Sequence, residues 1–201
     1  MKENSRFSRP HLQLAHTNWQ QYLSIGDSAI DATCGNGHDT LELCKLALSN
    51  TNGHIFAFDI QAAALETTAL RLRENLSPTI FNRVTLLKKC HSDLTLPFEF
   101  EEPIKLIVYN LGYLPGADKA QTTCVQSTLR SLKSATTLLA PGGLISITCY
   151  PGHPEGALEE EALLEFAAKL PRETWNCCHH RWINRQRAPS LLLITRSLSP
   201  L

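Results

Sequence analysis

Residues 28–39 read Ser-Ala-Ile-Asp-Ala-Thr-Cys-Gly-Asn-Gly-His-Asp, and the rest of the chain is best read outward from them. Ser28–Ala32 is a short, mostly apolar run that fits a buried strand. Gly35 and Gly37 permit a tight turn and a close backbone approach by a ligand. Asp39–Leu48 then carries a helical pattern, and a helix start offers unpaired N–H groups. The next apolar run, His54–Phe58, ends on Asp59, 22 positions beyond Gly37. A carboxylate there can accept hydrogen bonds from both hydroxyls of a ribose. Strand, glycine turn, helix, strand and terminal acid together predict an adenosine-containing cofactor at the carboxyl edge of a parallel sheet.

The same alternation continues on both sides. Leu12, Ala15, Trp19 and Tyr22 recur at helical spacing before the first strand. Leu65, Ala69, Leu72 and Leu76 mark a helix closed by Ser77-Pro78. Val84–Leu87 and Ile104–Tyr109 are further strands. Val125, Leu129, Leu132 and Leu139 mark a helix ended by Pro141-Gly142-Gly143, and Leu144–Tyr150 is a strand. Leu158, Ala162, Phe166 and Ala167 mark the last helix. Thr174–Ile183 and Ser190–Thr195 are strands with only a turn between them, which predicts an antiparallel pair. The expected fold is α/β: a Rossmann-like, doubly wound, seven-stranded, mostly parallel sheet with an antiparallel final pair. No linker divides the chain, so residues 1–201 are read as one domain.

Composition narrows the classes. With 43% hydrophobic residues, 201 residues can bury a substantial core without staples. The 19 basic and 19 acidic residues cancel, which argues against a broad nucleic-acid clamp. No apolar run is long enough to span a bilayer, and Met1–Pro10 lacks the apolar stretch of a signal peptide. The seven cysteines are odd in number and show no CxxC pair, so reduced, mostly structural thiols in a cytoplasmic protein are expected, and no metal site.

Two cofactor classes fit the glycine turn. A dinucleotide site would prefer a third small residue where Thr40 stands, and Asp31 would face a phosphate unfavourably. An S-adenosylmethionine site tolerates both features, because its amino-acid half carries an ammonium that Asp31 can help receive. A structural turn with no ligand is the bland alternative.

Three motifs carry a resemblance: Asp31–Asp39 (DATCGNGHD), Asn110–Asp118 (NLGYLPGAD) and Tyr150–Gly156 (YPGHPEG). Over nearly the whole chain the sequence resembles the class I S-adenosylmethionine-dependent methyltransferases. Within them it is similar to a small bacterial family once described as rRNA methylases. That family includes tRNA enzymes that methylate the amine of 5-aminomethyl-2-thiouridine at the wobble position. The resemblance implies cofactor contacts from Gly35, Asn36, Gly37 and His38, and from Asp59 and Gln61 around the ribose. Lys89-Cys90-His91 stands where the family carries an Asp-Ser-His type motif, so His91 matches and Cys90 departs. Asn110-Leu111-Gly112-Tyr113 occupies the place of an Asn-Pro-Pro-Tyr type motif. There an amide oxygen and a backbone carbonyl can accept N–H bonds from the target nitrogen and aim its lone pair. Tyr113 can stack on a base or cover the core. A primary amine must also lose a proton, and His153, Asp118 and His91 are the candidate acceptors. Glu155 contacts substrate or simply favours a helix start. The family also suggests a homodimer.

Charge placement sharpens the partner. Glu155, Glu159, Glu160, Glu161 and Glu165 read as one solvated helix face. Arg181, Arg185 and Arg187 surround the last turn, beside His179, His180 and Trp182. Such a patch can contact RNA phosphates and stack a base. The resemblance implies an N-methyltransferase acting on a tRNA anticodon loop, and this patch is compatible with that partner. An rRNA or small-molecule acceptor is the alternative.

Overall fold

The computed structural model describes residues 10–97, 100–112 and 124–198. Helix α1 (Pro10–Tyr22) precedes β1 (Ser28–Asp31), α2 (His38–Ala47), β2 (Ile55–Asp59), α3 (Ala62–Asn75) and the short α4 (Pro78–Phe81). Then follow β3 (Val84–Lys88), β4 (Ile104–Asn110), α5 (Val125–Leu138), β5 (Leu139–Cys149), α6 (Pro154–Ala168), β6 (Trp175–His180) and β7 (Ser190–Arg196). The strands form one sheet in the order β3-β2-β1-β4-β5-β7-β6. β1 to β5 pair in parallel, and β7 runs antiparallel to both β5 and β6.

Period-2 alternation divides each strand between two cores. Ala29, Ile55, Leu106, Val108, Leu144, Leu191 and Leu193 pack under Trp19 of α1, Leu43 and Ala47 of α2 and Leu72 of α3. Their neighbours Ile30, Phe56, Ile107, Tyr109, Ile145, Leu192 and Ile194 face Leu132 and Ala135 of α5 and Leu163 and Ala167 of α6. Near-continuous apolar strands are thus covered on both faces.

Four details depart from the expectation. Ser77-Pro78 closes α3 but also opens α4, because the Ser77 hydroxyl caps the Ile80 N–H and Pro78 suits a first helical position. Leu139 leaves the helical face and begins β5 opposite Ile104, and the register then shifts so that Leu144 faces Leu106. Pro141-Gly142-Gly143 is therefore a bulge within the strand rather than a helix terminator. Between β3 and β4 no helix occurs among the described residues. Finally, Leu158 is exposed, whereas Leu163 and Glu159 are buried, so the inward face of α6 is rotated from the one expected. Glu159 is not on a solvated face: the Thr128 hydroxyl of α5 donates to its carboxylate at 2.6 Å. All seven cysteines are free thiols. No described helix is long and apolar enough to cross a membrane.

Candidate active site

β1 lies between β2 and β4, so the chain leaves the sheet in opposite directions on its two sides. This opens a crevice at the carboxyl ends of β1 and β4, the place where open α/β sheets bind ligands. The glycine turn forms one lip. Gly35 and Gly37 both adopt positive φ, 50° and 75°, and Gly37 begins α2 with no side-chain cap. A Cβ on Gly37 would lie 2.8 Å from the Thr68 hydroxyl of α3, so both backbone and packing demand glycine there. The turn is tied down further. Thr68 Oγ1 donates to the Gly35 carbonyl at 2.9 Å, and Arg71 Nε donates to the Asn36 carbonyl at 2.6 Å.

Three carboxylates gather at this lip. Asp59 accepts from the Gly35 N–H at 3.0 Å through one oxygen and from the Gln61 N–H at 2.9 Å through the other. It is half-buried at the end of β2, and both oxygens keep lone pairs for a ribose. Asp31 is only 1% exposed. Its oxygens accept from the Thr33 N–H and the Thr40 hydroxyl, so it can act on a ligand by charge but not by contact. Burial, reinforced by the nearby Asp39 carboxylate, raises its carboxyl to about 7. Asp39, in the first turn of α2, holds the third charge.

Asp39 connects to the other lip. Asn110, the last residue of β4, donates through Nδ2 to Asp39 Oδ2 at 2.9 Å. His16 Nε2 of α1 lies 3.0 Å from Asp39 Oδ1. A carboxylate only accepts, so it fixes the Asn110 amide with its NH2 toward Asp39 and leaves the carbonyl oxygen for another donor. The Asn110 N–H meanwhile donates to the Thr33 hydroxyl at 2.8 Å and stitches the two lips together.

The remaining sequence candidates are placed less evenly. His38 is exposed at the start of α2, and Gln61 is half-buried at the start of α3. Cys90 is half-buried and accepts a hydrogen bond from the Ser92 hydroxyl. The His91 ring is buried against Tyr109, with Nε2 3.4 Å from Thr128 Oγ1. Desolvation lowers its pKa to about 4, which makes it a poor acceptor for an amine proton. His153 starts α6, where its Nδ1 accepts the Gly156 N–H at 3.1 Å. A nitrogen spent on that cap cannot also take a proton without releasing the helix end. A Cβ at Gly156 would fall 2.2 Å from the Tyr150 carbonyl, so glycine is required under this ring. Glu155 is exposed in the first turn of α6, and its bonds to its own backbone and to His153 lower its pKa; this is the geometry of a helix start. Leu111 is corrected: its side chain is 2% exposed and belongs to the core, so only its backbone can face a substrate. Gly112, at φ 137°, sits against the Tyr150 ring. Arg185 is exposed in the turn between β6 and β7. Tyr113 and Asp118 lie outside the described residues.

Sequence reasoning missed three contributors. Asp39 lay inside a quoted motif, but an acid in a first helical turn ordinarily signals only the helix dipole. His16 and His11 reach the site from α1, 23 residues before Asp39 and 139 before Tyr150, and no local signal marks them.

Known proteins share this fold and sequence pattern. The sequence pattern of the family described as "Putative rRNA methylase" fits residues 55–196. The chain belongs to this family. It is 38% identical over 185 residues to the Arabidopsis thaliana chloroplastic tRNA (mnm5s2U34)-methyltransferase, covering 90% of this chain and 68% of that protein. The crystal structure of a family protein from Clostridium thermocellum superposes with a TM-score of 0.84 at 33% identity, covering 92% of this chain and 97% of that one. A Streptococcus mutans protein, titled a putative methyltransferase in complex with SAH, gives a TM-score of 0.80 at 31% identity, with 92% and 97% coverage. The fold of this family member is therefore that of the class I methyltransferases, and methyl transfer is its chemistry.

Proposed function

We propose that this family member methylates the amine of 5-aminomethyl-2-thiouridine at the wobble position of a tRNA anticodon loop, using S-adenosylmethionine. The observation that carries the reading is the Asn110 amide, held by Asp39 at the rim of the switch-point crevice. The Arabidopsis relative, a tRNA (mnm5s2U34)-methyltransferase, supports the acceptor.

The donor set suits the cofactor. Asp59 and the Gly35–Gly37 turn would hold the adenosine ribose, and the open start of α2 would face the amino-acid carboxylate. Asp39 and Asp59 line the crevice with carboxylates, which favours a cationic ligand over a pyrophosphate, whereas Asp31, its carboxyl raised to about 7, adds only part of a charge near neutrality. When bound, S-adenosylmethionine supplies an electrophilic methyl group on a sulfonium centre.

The chain's own contribution is positioning. The Asn110 oxygen would accept one N–H of the target amine, and the Leu111 backbone at the strand end would bound the approach. With the N–H bonds so directed, the nitrogen lone pair points into the crevice, and such alignment accounts for much of the rate of an in-line transfer. Asp39 is a positioning residue: it touches Asn110, not the acceptor. Residues 1–201 are proposed to act as one catalytic domain. The cytoplasmic setting and a homodimer remain part of the same proposal.

Nucleoside mass spectrometry tests the acceptor. Purified protein with labelled cofactor is expected to convert tRNA bearing 5-aminomethyl-2-thiouridine into its N-methylated product. Labelled rRNA or a labelled small amine with unlabelled tRNA would overturn the assignment.

A further inference from the structure

A second concavity lies beside the crevice. A cleft of about 310 Å³ separates α1 from the β6–β7 turn, and His11, Leu14, His180, Arg181, Trp182 and Pro189 line it. Its position follows from topology. β6 and β5 both run antiparallel to β7, so the 181–189 turn leaves the sheet at the same edge as the loop after β5. The two are in contact range: a Cβ on Gly152 would lie 3.7 Å from the Arg187 carbonyl.

One wall joins the cleft to the Asn110 rim. His11 lines the cleft and meets the Tyr150 ring edge-on at 5.7 Å. Cδ2 of Tyr150 lies 3.6 Å from where a Gly112 Cβ would be, two residues past Asn110. Contacts from His11 through Tyr150 to Gly112 thus run from the cleft to the Asn110 rim, and a splayed loop of single-stranded RNA can present one residue to each.

The chemistry of the cleft is also one-sided. Residues 181–189 contain Arg181, Arg185 and Arg187 and no Asp or Glu. Glu160, which lies 3.4 Å from Nε2 of the lining residue His179, is already engaged by the Ser190 hydroxyl. Trp182 is half-buried and lines the cleft. A cation and an indole lining one cleft are the two elements that hold a single-stranded nucleotide.

We propose that this cleft binds the nucleotide flanking the methylated residue, with its phosphate on Arg181 and its base against Trp182. The inference rests on the RNA-acceptor reading above, but its test does not depend on turnover. The probe is an unmodified anticodon stem-loop RNA, titrated into full-length protein with binding read by fluorescence anisotropy. Trp182→Ala should weaken binding about tenfold, whereas Trp182→Phe, which keeps a stacking ring, should stay within about twofold. Arg181→Ala should lower the slope of log affinity against log salt by about 0.7, the loss of one single-strand phosphate contact. S-adenosylmethionine affinity should be unchanged in all three, which shows that they fold. Equal RNA affinity and equal salt slope in the wild type, Trp182→Ala and Arg181→Ala would overturn the proposal, as would no RNA binding by the wild type. Binding that follows this pattern without methylation of aminomethylated tRNA would instead sink the acceptor assignment and leave the cleft standing.

Discussion

The two halves of the carboxyl edge differ in sign and in how firmly they are held. On the β1–β2 side, Asp31, Asp39 and Asp59 crowd around a glycine turn, and the structure gives each carboxylate hydrogen-bond partners. On the β5–β6 side, Arg181, Arg185 and Arg187 project from an exposed turn. A buried, oriented negative cradle suits one small cation of defined shape. An exposed positive rim suits a polyanion that must arrive, be read and leave. The zero net charge of the chain averages over both regions and describes neither.

The contrast breaks most severely at Asp59. Asp59→Ala removes the ribose acceptor and releases the Gly35 N–H, so S-adenosylmethionine affinity should fall at least about 100-fold by calorimetry. Affinity for the stem-loop RNA should hardly move; if both fall together, the halves are not independent. Asn110→Ala should lower kcat about 100-fold with cofactor affinity retained, in keeping with loss of one oriented group at the reacting centre. Asp39→Ala should cost about tenfold through the same amide, since it acts one bond further away. An Asn110→Ala enzyme of normal kcat would remove the site from this rim.

A titration sharpens the buried half. The Asp31 carboxyl rises to about 7 in the folded protein from an ordinary value of 3.8. Between those values the folded state holds a proton that the unfolded state has lost, so stability falls as pH rises. The unfolding midpoint of the cofactor-free protein should carry this contribution fully below about pH 4 and lose it on the way to pH 7. Asp31→Asn should flatten that slope; an unchanged slope would mean that another group sets it. The smallest effect belongs to the exposed half. Arg185→Ala should weaken stem-loop binding about threefold at low salt and not detectably at high salt.

What could be read in advance follows the same division. The glycine turn, the acid closing β2 and the antiparallel end of the sheet were legible because each depends on a few consecutive residues. Glu159 misled because a run of acids on a helix is ordinarily solvated; here one of the run turns inward to the Thr128 hydroxyl of another helix. At Leu111 the motif could not say which part of the residue faces the crevice; strand alternation continues into it and sends its side chain to the core, leaving its backbone. His153 reads as a candidate proton acceptor, but its Nδ1 caps a helix, a role that needs the Gly156 N–H to be seen beside it.

Backbone preference and apolar period act over a handful of residues, so element order, the cofactor turn and the family pattern were present in the chain alone. The partners of the key polar atoms were not. Asp39 meets Asn110 across 71 residues and His16 across 23, and His11 meets Tyr150 across 139. Those meetings exist because β1 is inserted between β2 and β4 and because α1 packs over the sheet toward the β5 end. Strand order brings distant loops to one edge, and only there does an ordinary helix-start acid become the group that orients an amide.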